Sequence, residues 1–348
     1  MSCFTHLGFA VGSLLLSLLL AEVGATQLHH GAFPYLNIFQ VDARYGVRLI
    51  PNTSTKVRSR HRTITEIRTN SLGFRGPEWP NDADRRDRIL LVGDSQMLGY
   101  GVAWEDALPA QLERALAGRA VVLDAAVPSW GPSESVLAVE EYAPRYRPHY
   151  VLFVANAAND WFETVPNTLR TSARDGWAAR PGPPPIAFPG RELLLGRSHL
   201  TLAMAQLTHH LGGPELPPAE SIYRLVRDLP ELRRVEGAHR SRLAAPLLAA
   251  VQGCQKVGCT VVAVALPLDA QVDSSEWKKY RVAPEDLSAT EVLLDDFVAD
   301  ARAAGLPAIN LLSTLRAVEP GAFLADDYHL AARGHRAVAD AIARLLQS

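Results

Sequence analysis

The chain has 348 residues, of which 48% are hydrophobic and 21% are charged, and its formal net charge is -2. This composition is typical of a globular protein with a sizeable core, and it argues against an intrinsically disordered chain. The balanced charge also argues against DNA or RNA as a partner, because proteins that bind nucleic acid need a surplus of basic side chains.

An uncharged apolar segment, LGFAVGSLLLSLLLA, runs from Leu7 to Ala21. Its length is that of the h-region of a signal peptide and is short for a bilayer span of about 20 residues. Val23-Gly24-Ala25 is a small-residue cleavage site, but no Lys or Arg precedes the segment. We therefore expect residues 1–25 to be either a signal peptide or an uncleaved membrane anchor, with a buried N-terminal helix as the third alternative. Either of the first two predicts an exported protein, periplasmic or extracellular, and the anchor would tether it to the inner membrane through residues 7–21.

Residues 26–87 are polar and rich in turn-forming residues. Within them, the alternation of TKVRSRHRTITEIRT, residues 55–69, predicts exposed strands of a small antiparallel flap. We interpret residues 26–87 as an N-terminal β-rich appendage.

From residue 88 onward, apolar runs alternate with amphipathic segments, which predicts an α/β domain with a parallel sheet and crossover helices. The runs are continuously apolar, as in strands that are buried on both faces. The predicted strands cover residues 89–92, 121–127, 150–157, 260–268 and 308–312. Helices are predicted at 106–117, 133–142 and 331–346, and a capping box of Ser288 and Glu291 predicts the start of another.

Residues 161–240 break this alternation and predict an insertion into the domain formed by residues 88–348. RPGPPPIAFPG, residues 180–190, must be a surface loop, because its prolines cannot continue a helix or a central strand. Residues 191–208 have an apolar, helix-like character that would suit the lid of a lipase. The excess of arginine over acidic residues in the insertion fits an anionic substrate or, alternatively, a solvated basic loop.

Cys254 and Cys259 lie close together at a predicted helix-to-strand turn. In an exported protein this pair would form a disulfide, and two buried, unpaired cysteines are the alternative. A zinc site would need more ligands than the pair offers nearby.

Four groups of polar residues follow predicted strands or precede the last helix, and the carboxyl edge of a parallel sheet would gather them. They are Ser95, the turn 129–131, Asn159 with Asp160, and Asp326 with His329. A serine hydroxyl becomes a nucleophile when a histidine takes its proton, and the histidine needs an acid to fix its tautomer. Asp326, three residues before His329, can reach the ring within one turn.

Acyl transfer also needs hydrogen-bond donors for the developing oxyanion. The candidate donors are the backbone N–H of Ser95, a backbone N–H of Ser129 or Gly131, and the side-chain amide of Asn159.

These residues resemble, in order and in spacing, the four sequence blocks of the SGNH, or GDSL-type, hydrolase superfamily. The resemblance covers residues 88–348 and implies a three-layer α/β/α sandwich with a flavodoxin-like parallel sheet. It also implies hydrolysis or transfer of acyl groups by a Ser-His-Asp triad. We expect no metal or other cofactor. The implied roles are Ser95 as nucleophile, His329 as base, Asp326 as orienting acid, and Ser95, Ser129 or Gly131, and Asn159 as oxyanion donors. TNSLGFRGPEW, residues 69–79, is similar to the segment before the catalytic domain in exported or membrane-anchored bacterial members.

The sequence departs from the pattern of this superfamily at three positions. Ser129 and Ala157 stand where glycine is usual. Gln96 stands in place of leucine, at a position that the chemistry does not use. Because of these departures, the sequence does not decide whether Ser129 or Gly131 donates the second oxyanion N–H.

The predicted function is that of a serine esterase that hydrolyses a short, acetyl-like ester, with a small molecule or a carbohydrate as substrate. The same triad could instead pass the acyl group to a sugar hydroxyl, as in alginate acetyltransferase relatives of the superfamily. The sequence is also compatible with a non-catalytic carbohydrate-binding or assembly protein of the bacterial envelope, and with a lipase acting at membranes.

Overall fold

The structure is a computed structural model, which describes residues 2–58, 63–81, 84–163, 166–182, 188–208, 219–234 and 239–347. Its α-helices are α1 (Ser2–Leu28), α2 (Ser95–Leu98), α3 (Leu108–Ala115), α4 (Pro132–Tyr146), α5 (Arg191–Gly196), α6 (His199–Thr208), α7 (Ala219–Arg227), α8 (Leu229–Leu232), α9 (Ala244–Gln255), α10 (Asp269–Val272), α11 (Val292–Ala303), α12 (Leu312–Arg316) and α13 (Ala332–Gln347). Its strands are β1 (Ala32–Phe33), β2 (Phe39–Asp42), β3 (Gly46–Leu49), β4 (Ser54–Arg58), β5 (Ile64–Arg68), β6 (Asp87–Gly93), β7 (Ala120–Ala126), β8 (Tyr150–Asn156), β9 (Ser172–Arg174), β10 (Trp177–Ala179), β11 (Thr260–Leu266) and β12 (Ala308–Asn310).

Five parallel strands form the central sheet, in the order β12-β11-β8-β6-β7. All residues of β7 are buried, and in β8 and β11 only the first residue is not. Helices flank the sheet, with α3 packed against α13 and α4 packed against α9. Counted along the chain from β6, the strand order is that of flavodoxin-like folds. The predicted α/β/α sandwich with a flavodoxin-like parallel sheet is confirmed.

The connection between β7 and β8 creates a crevice at the carboxyl edge of the sheet. β7 lies on one side of β6, and the chain then crosses to β8 on the other side. The loops that follow β6 and β8 therefore diverge, and open α/β sheets bind their ligands in such a crevice. Ser95 follows β6 and Asn159 follows β8, so both residues border it.

The appendage is built from two small sheets. β4 and β5 pair antiparallel, with Ser54 opposite Arg68, as predicted for the flap, and β1 joins β4 in parallel. β2 and β3 form a separate hairpin. Arg75 follows this region and is buried; it donates hydrogen bonds to the carbonyl oxygens of Leu98 (2.9 Å), Gly99 (2.6 Å) and Val102 (2.8 Å). The appendage is thereby attached to the loop behind Ser95.

Helix α1 contains the one candidate membrane span found among the described residues, His6–Leu28, judged by length and composition alone. The side chains of residues 6–21 are exposed, and the first buried one in the described part of the helix is Ala25. This exposure contradicts the alternative of a buried N-terminal helix. A signal sequence and a membrane anchor both fit it.

The insertion between β8 and α9 contains the hairpin β9–β10 and the helices α5 to α8. The apolar stretch 191–208 forms α5 and α6, as its pattern indicates. Within the proline-rich stretch predicted to be a surface loop, residues 183–187 lie outside the described residues.

The structure decides between the two alternatives for the cysteine pair and corrects the prediction of a capping box. Cys254 and Cys259 form a disulfide. The capping box does not form, because Ser288–Glu291 is a 3-10 turn and α11 begins at Val292 without a side-chain cap. This turn is instead held by Thr290, whose hydroxyl accepts a hydrogen bond from Gln271 of α10 at 2.8 Å.

Candidate active site

Ser95 lies at a sharp turn from strand to helix. β6 ends at Gly93, and Asp94 caps the short helix α2 by accepting a hydrogen bond from the backbone N–H of Gln96 at 2.9 Å. A Cβ atom on Gly93 would lie 2.6 Å from Cγ of Met97, so only glycine allows the helix to start this close to the strand. The half-buried Ser95 is the first residue of α2, and its hydroxyl lies at the crevice.

His329 reaches Ser95 from the loop that precedes α13. Its Nε2 atom lies 2.8 Å from Oγ of Ser95, and its Nδ1 atom lies 2.6 Å from Oδ1 of Asp327. The ring is buried and lies between the aromatic rings of Tyr100 and Tyr328, with centroid distances of 4.9 Å and 4.5 Å. A carboxylate on Nδ1 favours the tautomer that carries its proton there, which leaves Nε2 free to accept the serine proton.

The acid beside His329 is Asp327, which corrects the assignment of Asp326 made from the sequence. Spacing by three residues would suit a helical turn, but this segment is a non-helical turn. Within it, Oδ1 of Asp327 accepts the backbone N–H of His329 at 3.2 Å as well as contacting the ring. Aspartate readily binds the backbone two residues further on, and this local bond brings Asp327 to Nδ1.

Gln96 fixes the position of the histidine loop. Its amide nitrogen donates to the carbonyl oxygen of Tyr328 at 3.0 Å, and its amide oxygen accepts the backbone N–H of Leu330 at 3.0 Å. These bonds hold both neighbours of His329 against α2. The departure from leucine at this position therefore has a structural role that the sequence analysis did not assign.

The predicted oxyanion donors have different surroundings. The Ser95 N–H belongs to the first turn of α2, where helix N–H groups have no partner within the helix. Ser129 has a φ of 76°, a conformation that favours glycine, in agreement with the residue usual at this position. The Gly131 N–H donates to Oε2 of Glu134 at 3.1 Å, which removes it from the available donors. Asn159 donates one amide hydrogen to Oε2 of Glu163 at 3.0 Å and keeps a second.

The C-terminal part of the sequence matches a family model. Residues 230–348, which include His329, match the model described as SGNH hydrolase-like domain, acetyltransferase AlgX. The predicted resemblance to SGNH hydrolases is confirmed over residues 230–348. No curated protein matches the chain in sequence.

Solved structures of hydrolases resemble this chain at a distance. A lipase/acylhydrolase from Enterococcus faecalis is 16% identical, with a TM-score of 0.42, over 75% of this chain and 95% of its own. A carbohydrate acetylesterase family member from Sinorhizobium meliloti is 15% identical, with a TM-score of 0.37, over 75% and 100%. Esterase EstA from Pseudoalteromonas sp. is 8% identical, with a TM-score of 0.37, over 75% and 100%. At these identities and scores, the structures add nothing about activity or substrate.

A pair of charged residues that the sequence analysis did not connect, Glu163 and Arg170, lies beside Asn159. Oε1 of Glu163 lies 2.9 Å from the guanidinium of Arg170, which also lies 3.5 Å from the fully buried Glu134. Burial raises the pKa of Glu163 to about 7, against the opposing effects of Arg170 and of the Asn159 hydrogen bond. The carboxyl that holds the Asn159 amide therefore titrates near neutral pH. Its role arises from burial, which no sequence motif signals.

Asp94, which precedes Ser95, and Asp160, which follows Asn159, both accept hydrogen bonds from Asn156 at the end of β8. Oδ2 of Asp94 accepts the side-chain amide of Asn156 at 2.8 Å, and Oδ2 of Asp160 accepts the Asn156 backbone N–H at 2.7 Å. Burial, together with the nearby Asp94 charge, raises the pKa of Asp160 well above its ordinary value. These contacts join the ends of β6 and β8.

The buried Lys279 contacts the loop that carries Asp327 and His329. Nζ of Lys279 lies 3.1 Å from both Oδ2 of Asp269 and the backbone carbonyl oxygen of Asp327. The Lys279 side chain is 1% exposed and also contacts Glu276. A lysine that anchors the loop through a carbonyl leaves no sequence signal, so the sequence analysis missed it.

An open cleft of about 800 Å³ lies next to the triad loops. Gly101, Trp104 and Leu324 line one part of it and β5 of the appendage lines another. The N–H of Leu324 donates to the carbonyl oxygen of His329 at 2.8 Å, so this wall is continuous with the catalytic loop. Among the described residues, no group of three or more His, Cys, Asp or Glu side chains is placed to hold a metal ion.

Proposed function

We propose that this chain is an exported serine esterase that removes a short acyl group, such as acetyl, from a carbohydrate or a small ester. The observation that carries this proposal is the connected series Ser95, His329 and Asp327, with contacts of 2.8 Å and 2.6 Å. A nucleophile, a base and an orienting acid in hydrogen-bond contact form the arrangement that acyl transfer requires.

In the proposed reaction, Nε2 of His329 takes the hydroxyl proton while Oγ of Ser95 attacks the ester carbonyl carbon. The Asp327 carboxylate stabilises the imidazolium that forms. The tetrahedral intermediate collapses, the C–O bond to the alcohol breaks, and the alcohol leaves with the proton from Nε2. Water, deprotonated by His329, then attacks the acyl-serine and releases the carboxylic acid.

The oxyanion would be stabilised by donors at the crevice. We assign the backbone N–H groups of Ser95 and Ser129 and the second amide hydrogen of Asn159 to this role. Preorganised donors of this kind typically lower the barrier by about 3–4 kcal/mol each.

Transfer of the acyl group to a sugar hydroxyl is the second candidate function. The description of the matching family model, an acetyltransferase, favours it. The chemistry differs only in the second half, where a sugar hydroxyl replaces water as the acceptor. A polysaccharide of the bacterial envelope would be the acceptor for an exported protein of this kind.

The test measures hydrolysis of p-nitrophenyl acetate and labelling by a fluorophosphonate, with the full chain in lipid nanodiscs. We expect Ser95→Ala to abolish labelling and to lower kcat by about 10³-fold or more. Ser275→Ala, an exposed serine outside the crevice, is the matched control and should keep both activities. Folded wild-type protein that neither turns over the ester nor reacts with the fluorophosphonate would contradict the proposal and favour a non-catalytic carbohydrate-binding protein.

Two additional measurements distinguish the esterase from a lipase and from a transferase. Faster release of acetate than of long-chain fatty acid from matched esters would support the esterase over a lipase. Added oligosaccharide that accepts the acyl group from Ser95 in preference to water would identify a transferase.

A further inference from the structure

Three consecutive leucines in the insertion are exposed on a short, well-attached helix. Leu193, Leu194 and Leu195 of α5 are 66%, 49% and 40% exposed. Scattered apolar side chains are common on protein surfaces, but a contiguous group marks a contact surface for a partner or a membrane.

Side-chain bonds fix α5 to the rest of the fold, so its exposed leucines have a defined position. Arg191 forms a two-pronged ion pair with Asp175, with distances of 2.9 Å and 2.8 Å. The indole N–H of Trp177 donates to the carbonyl oxygen of Leu195 at 3.1 Å. Asn37 of the appendage donates to the carbonyl oxygen of Gly196 at 2.8 Å.

The next helix, α6, is capped by a residue from helix α1. The carboxylate of Glu22 accepts hydrogen bonds from Ser198 Oγ (2.6 Å) and from the backbone N–H groups of His199 (2.8 Å) and Leu200 (3.0 Å). A carboxylate is well suited to the start of a helix, where N–H groups lack partners and the dipole is positive. The ring of His199 stacks on Phe33 as well, with a centroid distance of 4.3 Å.

The position of Glu22 in α1 sets the level of this contact relative to a bilayer. Residues 2–21 of α1 include no Asp, Glu, Lys or Arg. Such a stretch of about 20 residues is about 30 Å long, which matches the hydrocarbon core of a membrane. If α1 crosses a bilayer with its uncharged residues 2–21 in the hydrocarbon core, Glu22 lies at the surface, and the start of α6 and the end of α5 lie there with it.

We propose that α5 rests in the surface of the same bilayer that α1 crosses, with Leu193, Leu194 and Leu195 in contact with lipid. Leu19 and Leu20 of α1 are 60% and 63% exposed, so both helices present apolar side chains that lipid would cover. The proposal does not depend on the proposed esterase activity. It also favours retention of α1, because cleavage after Ala25 would remove the carboxylate that caps α6.

The test measures where a nitroxide probe at α5 lies in nanodiscs that hold one copy of the full chain. Leu194→Cys is labelled in a Cys3→Ser background, and collisions with oxygen, which concentrates in lipid, are compared with collisions with a water-soluble nickel chelate. Leu16→Cys in α1 is the lipid reference, and Ala304→Cys, exposed after α11, is the water reference. We expect the ratio at residue 194 to lie nearer to that at residue 16.

Two results would overturn the proposal. A ratio at residue 194 equal to that at residue 304 would show that α5 is in water. Access to nickel in single-copy discs, with protection only in crowded vesicles, would assign the surface to a second copy of the chain.

Variants of Glu22 test the contact that positions α5. Glu22→Ala removes the acceptor for three hydrogen bonds and should increase nickel access at residue 194, whereas Glu22→Gln keeps one acceptor oxygen and should change it less. Unchanged access in Glu22→Ala would overturn the role given to this contact.

Discussion

The two sides of the crevice are organised in different ways. On the side of β6, the proposed catalytic groups Ser95, His329 and Asp327 are bonded to one another. On the side of β8, Glu163 holds one amide hydrogen of Asn159, while Glu134 occupies the N–H of Gly131 at the start of α4. The proposed nucleophile is therefore in contact with its proposed base without a substrate, whereas the candidate oxyanion donors are partly engaged by carboxylates.

The β6 side is set by the geometry of its turns, whereas the β8 side also depends on the charge of a buried carboxyl group. The β6 side depends on short turns whose hydrogen bonds involve the backbone, as in the bond from the His329 N–H to Asp327. The β8 side contains Glu163, whose pKa burial raises to about 7, so its charge changes in the neutral range.

Replacement of Asp327, the acid beside His329, should have the largest effect on kcat. In Asp327→Asn, the amide no longer favours the tautomer with its proton on Nδ1, and we expect kcat for p-nitrophenyl acetate to fall about 10³- to 10⁴-fold. Asp326→Asn is the matched control and should change kcat far less. Steady-state kinetics on both variants check the prediction, and a larger loss in Asp326→Asn would restore the assignment made from the sequence.

Removing the Gln96 clamp should have an intermediate effect. Gln96→Leu leaves the Tyr328 carbonyl and the Leu330 N–H without their partner, which should lower the free energy of unfolding by about 1–3 kcal/mol. Displacement of His329 should also lower kcat by about 10- to 100-fold.

The control for this prediction is Gln111→Leu, which changes another buried glutamine, bonded to the Glu105 carbonyl at 3.0 Å. It should lower stability in denaturant unfolding without a comparable loss in kcat. Folded Gln96→Leu with full activity would contradict a role for the clamp in positioning His329.

The smallest effect concerns the pH dependence of stability on the β8 side. Because the pKa of Glu163 is raised in the folded state, its contribution to stability is present below its unfolded pKa of about 4.5 and is lost as pH rises through about 7. Glu163→Gln cannot ionise and lacks this loss. The free energy of unfolding of Glu163→Gln relative to wild type should therefore increase between pH 5 and pH 8 in denaturant titrations. A difference that stays constant, or that decreases, would mean that Glu163 is ionised throughout this range.

The sheet could be predicted from the sequence because each strand is a continuous apolar run followed by a polar turn. A strand that is buried on both faces has this pattern whichever element connects it to the next strand, as residues 89–92 and 150–157 show. The predicted start of a helix at Ser288 was wrong, since the hydrogen bond between Gln271 and Thr290 holds that segment in a 3-10 turn. Such a tertiary contact leaves no local pattern.

The site was only partly accessible to sequence reasoning. Ser95 and His329 have reactive side chains at the ends of elements, so their chemistry and position could be inferred together. The choice between Asp326 and Asp327 depends on a turn of two residues that spacing does not specify. The hydrogen bond from the Gly131 N–H to Glu134 involves the backbone, which a sequence motif does not describe. The roles of Glu163 and Lys279 depend on their burial, which no motif signals either.

Arg75 limits how far the chain can be shortened without disturbing the proposed active site. Burial lowers the pKa of its guanidinium to about 10, and its hydrogen bonds go to three carbonyl oxygens directly behind the α2 turn. A truncated protein that starts at residue 87 would contain the whole central sheet and every proposed triad residue. It would nevertheless leave those three carbonyls without their donor, at the turn that presents the nucleophile. The appendage therefore contributes a structural contact to the turn that carries Ser95, and we expect the proposed activity to require it.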